Sequence, residues 1–181
     1  MKPRIFIFLL GITFVSCSSP EPRKPVVRKT ASINSESIEI NKKINALEEA
    51  ALKAYADKDS LNVYKSSANG FWYATTSKGN SDRKVEAGDH ILFSAEIVDL
   101  NDRVIYAAEE IGMQSYVVDK ENIVQGLQDG LKLLHEEETA KFLFPSHKVF
   151  GFSGNNDRIT HKQPLVYYIK IIKINREHES N

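Results

Sequence analysis

The chain has 181 residues, with 24 basic and 24 acidic side chains, so its formal net charge is zero. No basic face is evident at that balance, which argues against nucleic acid as a main partner. Its one cysteine, Cys17, leaves no internal disulfide available, so the fold must rest on an ordinary core, and nine Phe and seven Tyr, most of them after residue 70, place that core in the C-terminal two-thirds.

The chain begins with a short basic head, Met1, Lys2 and Arg4, followed by an apolar run from Ile5 to Val15. That run has the length of a secretion-signal core and is too short to span a bilayer as a stable helix. Ser16 then precedes Cys17. Residues 1–16 resemble a bacterial lipoprotein signal with its lipobox. An ordinary secretory signal that contains a cysteine, or an N-terminal membrane anchor, is the alternative. On the lipoprotein reading Cys17 carries the lipid and the mature chain works outside the cytoplasm on a membrane, without access to ATP or nicotinamide pools. Ser18 and Ser19 carry no inner-membrane retention signal, which points to the outer membrane facing the periplasm.

Residues 17–34 read as a flexible tether. They carry Pro20, Pro22 and Pro25, several serines, and Arg23, Lys24, Arg28 and Lys29, with little that can be buried. The basic cluster is either a solvated spacer or a contact with anionic lipid. An N-terminal helix is expected within 35–60, from about Ser35 to Ala56. Ile40, Ile44, Leu47, Ala51 and Tyr55 form one apolar stripe along it. The stripe either docks on the domain that follows or pairs with another copy.

From Gly70 the apolar period becomes two. His90 to Leu100 alternates, with Ile91, Phe93, Ala95 and Ile97 on one face, and reads as a strand. Asn101-Asp102 marks a turn and Val104 to Tyr106 returns. Ser115 to Val118 is a short strand. Asn122 to Leu134 reads as a helix with Ile123 or Val124, Leu127, Leu131 and Leu134 on one side. Its two glycines, Gly126 and Gly130, each cost about 1 kcal/mol relative to alanine, so something must need the close approach they permit. Glu136 to Glu138 reads as a solvated turn. Ala140 to Phe144 and Leu165 to Ile174 are further strands, the last expected to be central. Residues 69–176 thus read as an α+β domain, an antiparallel sheet with one covering helix.

Familiar catalytic arrangements are absent from the pattern. None of the five histidines has another His or Cys at metal-ligand spacing, so neither metal nor cofactor is expected. No nucleophile elbow or phosphate-cradling loop is present. An enzyme built on this chain would work without a strong acid, base, metal or cofactor.

Five ordered motifs become specific together. They are Gly88 to Phe93 with the Asn101-Asp102 turn, Ile123 to Leu131, Lys141 to Ser146, Val149 to Gly154, and Pro164 to Ile169. As a set they resemble the FKBP-type peptidyl-prolyl cis-trans isomerases over residues 69 to 174. With the lipobox, the charged helix, Gly70 to Tyr73 and Val118 to Ile123, the chain resembles the gliding-motility-associated FKBP-type isomerase lipoproteins of the Bacteroidetes. The resemblance implies proline-containing exported polypeptides as partners and the membrane as an anchor through the N-terminal lipid. It implies an FKBP-like curved sheet.

Such chemistry suits a site without a charged triad. X-Pro rotation takes tens to hundreds of seconds unaided, against an amide-resonance barrier of about 18–20 kcal/mol. A dry apolar pocket that holds the twisted amide lowers that barrier by desolvation and shape. The resemblance implies Leu127, Phe150 and Tyr167 as the catalytic set and Ala95, Ile105, Tyr106, Ile123, Val124 and Ile159 as substrate contacts. Three positions depart from the family pattern: Ala95 replaces Tyr, Tyr106 replaces Asp, and Phe150 replaces Tyr. Two functions follow, a membrane-tethered prolyl isomerase for exported chains, or a binding module that holds proline-containing segments without turnover. A third reading is a structural lipoprotein assembled through its N-terminal helix.

Overall fold

The computed structural model of the chain describes residues 30–176, with side chains from residue 35. The leader, Cys17 and most of the tether lie outside the described residues. Thr30 to Ser37, the described part of the first of two units, is the opening of a helix. The second unit, from Ile38 onward, carries the fold.

Helix α1 runs Thr30–Lys58. It starts earlier than the expected boundary at residue 35, because Thr30 to Asn34 contain neither proline nor glycine to stop it. The strands are β1 (Lys65–Ser66), β2 (Trp72–Ser77), β3 (His90–Val98), β4 (Val104–Tyr106), β5 (Gln114–Val117), β6 (Thr139–Phe144) and β7 (Leu165–Asn175), with the short helices α2 (Ala108–Ile111) and α3 (Gln125–Leu131) between them. All pairings are antiparallel, in the order β1-β2-β6-β7-β3-β4, with β5 on β3 as well. The last strand is central, as its apolar density implies. The result is an α+β sheet with α3 across one face.

The pleat sorts side chains into rows. On the α3 face, one row runs Tyr73, Phe142, Tyr167, Ile97 and Tyr106 across β2, β6, β7, β3 and β4. On the opposite face, the neighbouring row runs Trp72, Leu143, Val166 and Val98. The front row belongs to the main core, whereas the back row closes a second cluster with Leu52 of α1. This explains why β6 is buried at every position from Ala140 to Phe144, where alternation predicts one wet face.

The docking face of α1 is rotated from the stripe read in the sequence. Leu52 is fully buried and Tyr55 and Ala56 pack beside it, whereas Leu47 is 71% exposed. The rotation is fixed by a polar residue. Buried Glu48 accepts the Ser146 backbone N–H and the Ser146 hydroxyl, both at 2.8 Å. A carboxylate that satisfies two buried donors outweighs one exposed leucine.

Lower on the same face, Lys141 reaches Asp59 at 3.0 Å and lies 4.7 and 5.0 Å from the rings of Tyr55 and Tyr168. Burial opposes ionisation of Asp59, but hydrogen bonds from Asn62, Tyr64 and Lys141 prevail and hold its carboxyl down at about 2. Burial likewise opposes the Lys141 charge, and its hydrogen bonds to Tyr168, Tyr55 and Asp59 raise its pKa above the ordinary value. These contacts fasten the C-terminal end of α1 and the segment after it to the sheet.

One expected feature is corrected. Glu138 is not a solvated turn residue: it is 7% exposed and accepts Thr75 Oγ1 at 2.7 Å and the His135 backbone N–H at 2.8 Å. It ties the turn before β6 to β2.

Candidate functional site

Helix α3, which the family resemblance makes the floor of the site, is shorter than the periodicity of 122–134 predicts. Val124 stays extended, with ψ at 138°, and the α-helix ends at Leu131, after which Leu133 and Leu134 donate to the Gly130 and Leu131 carbonyls in a tighter turn. The two glycines explain how the floor is seated. A Cβ on Gly126 would lie 2.8 Å from Phe144 Cδ1 and 3.0 Å from the Lys148 carbonyl, and one on Gly130 would lie 3.1 Å from Phe142 Cε1. The helix therefore rests directly on the two rings, which are themselves stacked 5.5 Å apart at 3°.

Eight of the nine site residues implied by the family resemblance belong to the main core or pack against it, with graded exposure. Ala95, Ile159 and Tyr167 are buried in the main core, and Ile105, Tyr106, Ile123, Leu127 and Phe150 are partly buried against it. Val124 is partly buried at the start of α3. Tyr167 and Tyr106 share the front row through Ile97, and the Tyr167 ring meets Phe144 edge-on at 5.5 Å. Burial, with Tyr106 nearby, pushes the Tyr167 phenol well above its ordinary value, so it stays neutral and contributes an aromatic wall. Ala95 lies in the adjacent row with Ile169 and Ala140; no hydroxyl projects from that position.

The loop between β6 and β7 supplies the third side. After Pro145 a 3₁₀ turn spans Ser146–Lys148. Gly151, at φ +59°, donates to the Ser146 carbonyl at 2.7 Å and accepts the Lys162 N–H at 2.8 Å. That reversal leaves Phe150 on the core and turns Phe152 outward, 75% exposed. Farther along, the Asn155 side-chain oxygen accepts the N–H groups of Asp157 and Ile159 at 3.0 and 2.9 Å, a local turn that aims Ile159 into the core.

A polar network joins this loop to β4 and α2, and sequence reasoning did not find it. The Tyr106 hydroxyl donates to Asp157 at 2.5 Å and accepts from Asn155 Nδ2 at 2.7 Å. The Arg158 guanidinium lies 4.8 Å from the Tyr106 ring, donates to the Ile105 carbonyl at 2.9 Å and forks onto Glu110 at 2.8 and 2.6 Å. Arg158 holds the Glu110 carboxyl below the usual carboxylate range, and Glu110 in turn raises the Arg158 pKa. Nothing in residues 155–158 signals a partner 50 positions away; only the turn-forming run Asn155-Asn156-Asp157 marks the loop. Beside this rim a depression of about 560 Å³ is lined by Val104, Ile105, Arg158, Thr160 and Gln163.

The arrangement offers an apolar floor and walls, a buried neutral tyrosine and a hydroxyl already committed to the loop. It offers no free acid or base at the floor. Among the described residues, no group of three His, Cys, Asp or Glu side chains is placed to hold a metal ion.

Comparison with known proteins agrees with this geometry. A family model for FKBP-type peptidyl-prolyl cis-trans isomerases matches residues 81–172. A curated relative from Neisseria meningitidis serogroup B, named as a probable FKBP-type peptidyl-prolyl cis-trans isomerase FkpA, is 27% identical over 126 residues; the match covers 70% of this chain and 44% of the relative. The chain thus spans less than half the length of that relative. Among solved structures, a peptidyl-prolyl cis-trans isomerase from Pseudomonas syringae pv. tomato superposes with a TM-score of 0.61 at 16% identity, over 75% of this chain and 96% of that one. FkpA from Escherichia coli gives 0.59 at 19% identity, over 81% and 68%. At these identities the structural likeness establishes the fold.

Proposed function

The chain belongs to the FKBP-type peptidyl-prolyl cis-trans isomerase family, and from that membership we propose that it catalyses rotation about X-Pro bonds in exported polypeptides while tethered to the outer membrane through Cys17. The observation that carries the reading is the seating of α3: both of its glycines lie against Phe142 and Phe144, which brings Leu127 to the apolar region that also holds Tyr167, Phe150, Ile105 and Ile159. A proline ring on that surface leaves water. The twisted amide, which has lost resonance and carries less charge on its oxygen, is better accommodated there than the planar one. Ile123 and Val124 extend the floor, Ala95 lies in the core beneath, and Tyr106 serves through its ring and by holding the loop.

The lipobox resemblance supports the membrane tether and the periplasmic setting, and likeness to the gliding-motility lipoproteins supports a motility or secretion machinery as the source of substrate. A second reading, a module that holds proline-containing segments without turnover, draws on one specific feature. Phe150 carries no hydroxyl, and that of Tyr106 is engaged with Asp157 and Asn155. A refolding assay separates the two. An isomerase accelerates the proline-limited phase of an unfolded test protein at substoichiometric concentration, and Leu127→Glu removes the acceleration. A holding module slows refolding or leaves it unchanged, which would reject turnover. For the tether, Cys17→Ala is expected to move the protein from the membrane to the soluble fraction; retention on the membrane would reject lipidation at Cys17.

A further inference from the structure

The loop that carries Phe150 has a second face. Where α1 runs past Ser146 toward its N-terminal end, helix and loop leave a groove of about 390 Å³, lined by Asn41, Ile44, Asn45, His147, Phe152 and Lys162, with Ser146 and Gly151 at its base. Its volume falls within the range of small-ligand sites, about 300–1,000 Å³. The helix residues continue the face that docks Glu48 and Leu52, so the groove is held open by the same anchor that fixes α1, the two hydrogen bonds from Ser146 to Glu48.

We propose that this groove is a docking surface for the substrate chain itself, taking an extended segment next to the proline that bears an acidic side chain. The proposal rests on the isomerase reading and names the class of substrate that suits it. Continuity is one argument. Phe150 packs on the core at the proposed prolyl site and Phe152, two residues on, lines the groove, with Gly151 at φ +59° turning one inward and the other outward. A chain whose proline lies beside Phe150 reaches the groove within a few residues.

Charge is the other argument. No carboxylate lines the groove. Lys162 places its ammonium 5.1 Å from the Phe152 ring, and among the described residues it has no ion-pair partner. Phe152 is 75% exposed, with the His161 ring 6.5 Å away. An exposed aromatic ring under an unneutralised cation suits a ligand that presents apolar surface and a carboxylate together. The Asn41 and Asn45 side chains, one helical turn apart, add donors and acceptors that suit an extended backbone.

The test uses the full-length protein in detergent micelles and two fluorescein-labelled peptides of about twelve residues with a central Leu-Pro. The peptides differ only in flanking Asp or flanking Lys. Anisotropy titration is expected to give the Asp peptide about five-fold tighter binding, and Lys162→Glu to reverse the order. Asn45→Trp, which fills the groove, is expected to weaken the Asp peptide without unfolding the chain, checked by its melting temperature. Equal affinities in the wild type, or an order unchanged by Lys162→Glu, would overturn the proposal. So would sedimentation of the wild type as a dimer that Lys162→Glu dissociates, which would assign the groove to a second copy. A separate measurement keeps the two claims apart. Catalysis on a tetrapeptide too short to reach the groove tests the isomerase reading alone, whatever the anisotropy shows.

Discussion

Gly126→Ala probes the seating of the floor on the sheet. In an exposed helix the change would stabilise by about 1 kcal/mol through helix propensity. Here the added methyl meets Phe144 Cδ1 and Cε1 at 2.8 and 2.9 Å and the Lys148 carbonyl at 3.0 Å. Neither neighbour can move freely. Phe144 is fully buried, stacked on Phe142 and edge-on to Phe71 and Tyr167, and the carbonyl is backbone in the turn that leads to Phe150. Overpacking of a tight core costs about 1–3 kcal/mol, and this site belongs at the upper end. The net expectation is a loss of about 1–2 kcal/mol, read in a urea titration as a midpoint lowered by about 1 M for a slope near 1.5 kcal/mol/M. Isomerase activity falls with it, because the helix that lifts off carries Leu127. Gly130→Ala is the internal control. Its nearest contact, 3.1 Å from the edge of Phe142, lets the propensity gain offset the strain, so its stability stays within about 1 kcal/mol of wild type. A Gly126→Ala protein as stable as wild type would refute close seating of α3 on the sheet.

Three further outcomes follow. Glu48→Ala leaves the Ser146 N–H and hydroxyl buried without their acceptor, a loss of about 2–3 kcal/mol, seen in urea unfolding together with faster amide exchange in α1. Leu52→Ala, at a fully buried position of the back cluster, is expected to cost about 2–5 kcal/mol by the same titration. Acid sensitivity should trace in part to Asp59. Its carboxyl is depressed from 3.8 to about 2 in the folded chain, so its contribution is fully present above the unfolded value and is lost as pH falls from about 3.8 to about 2. The sign is that of a depressed carboxylate. Asp59→Asn should flatten the stability profile in that window and nowhere above it; an unchanged profile there would refute the assignment.

Much of the fold is legible in the residues. Alternation at Ile91, Phe93, Ala95 and Ile97 gives the inner face of β3, and two costly glycines announce a helix pressed onto aromatic rings. The limits of α3 are less legible. Val124 and Leu134 fit the helical period but lie outside the helix, since burial rather than helical position explains their apolar character. The rotation of α1 could not be read at all. It depends on Glu48 finding two donors at Ser146, 98 residues away, and periodicity counts a buried glutamate as exposed. Glu138 misleads for the same reason: three glutamates in a row look solvated, yet one is the acceptor that closes a turn. Family likeness implies a set of site residues, but the Tyr106, Asp157, Asn155 and Arg158 network joins positions about 50 residues apart and has no local signature in the sequence.

On the family resemblance, Ala95, Tyr106 and Phe150 stand where many members carry other polar groups, and the Tyr106 hydroxyl is engaged with Asp157 and Asn155, so the proposed catalysis rests on apolar contact. The direct test is exchange NMR on a short X-Pro peptide with full-length protein in detergent, comparing wild type, Phe150→Tyr and Leu127→Glu. An apolar mechanism predicts faster cis-trans exchange with the wild type, a change of no more than a few-fold on restoring the hydroxyl, and loss of acceleration with the glutamate. Exchange no faster with wild type than without protein would contradict it.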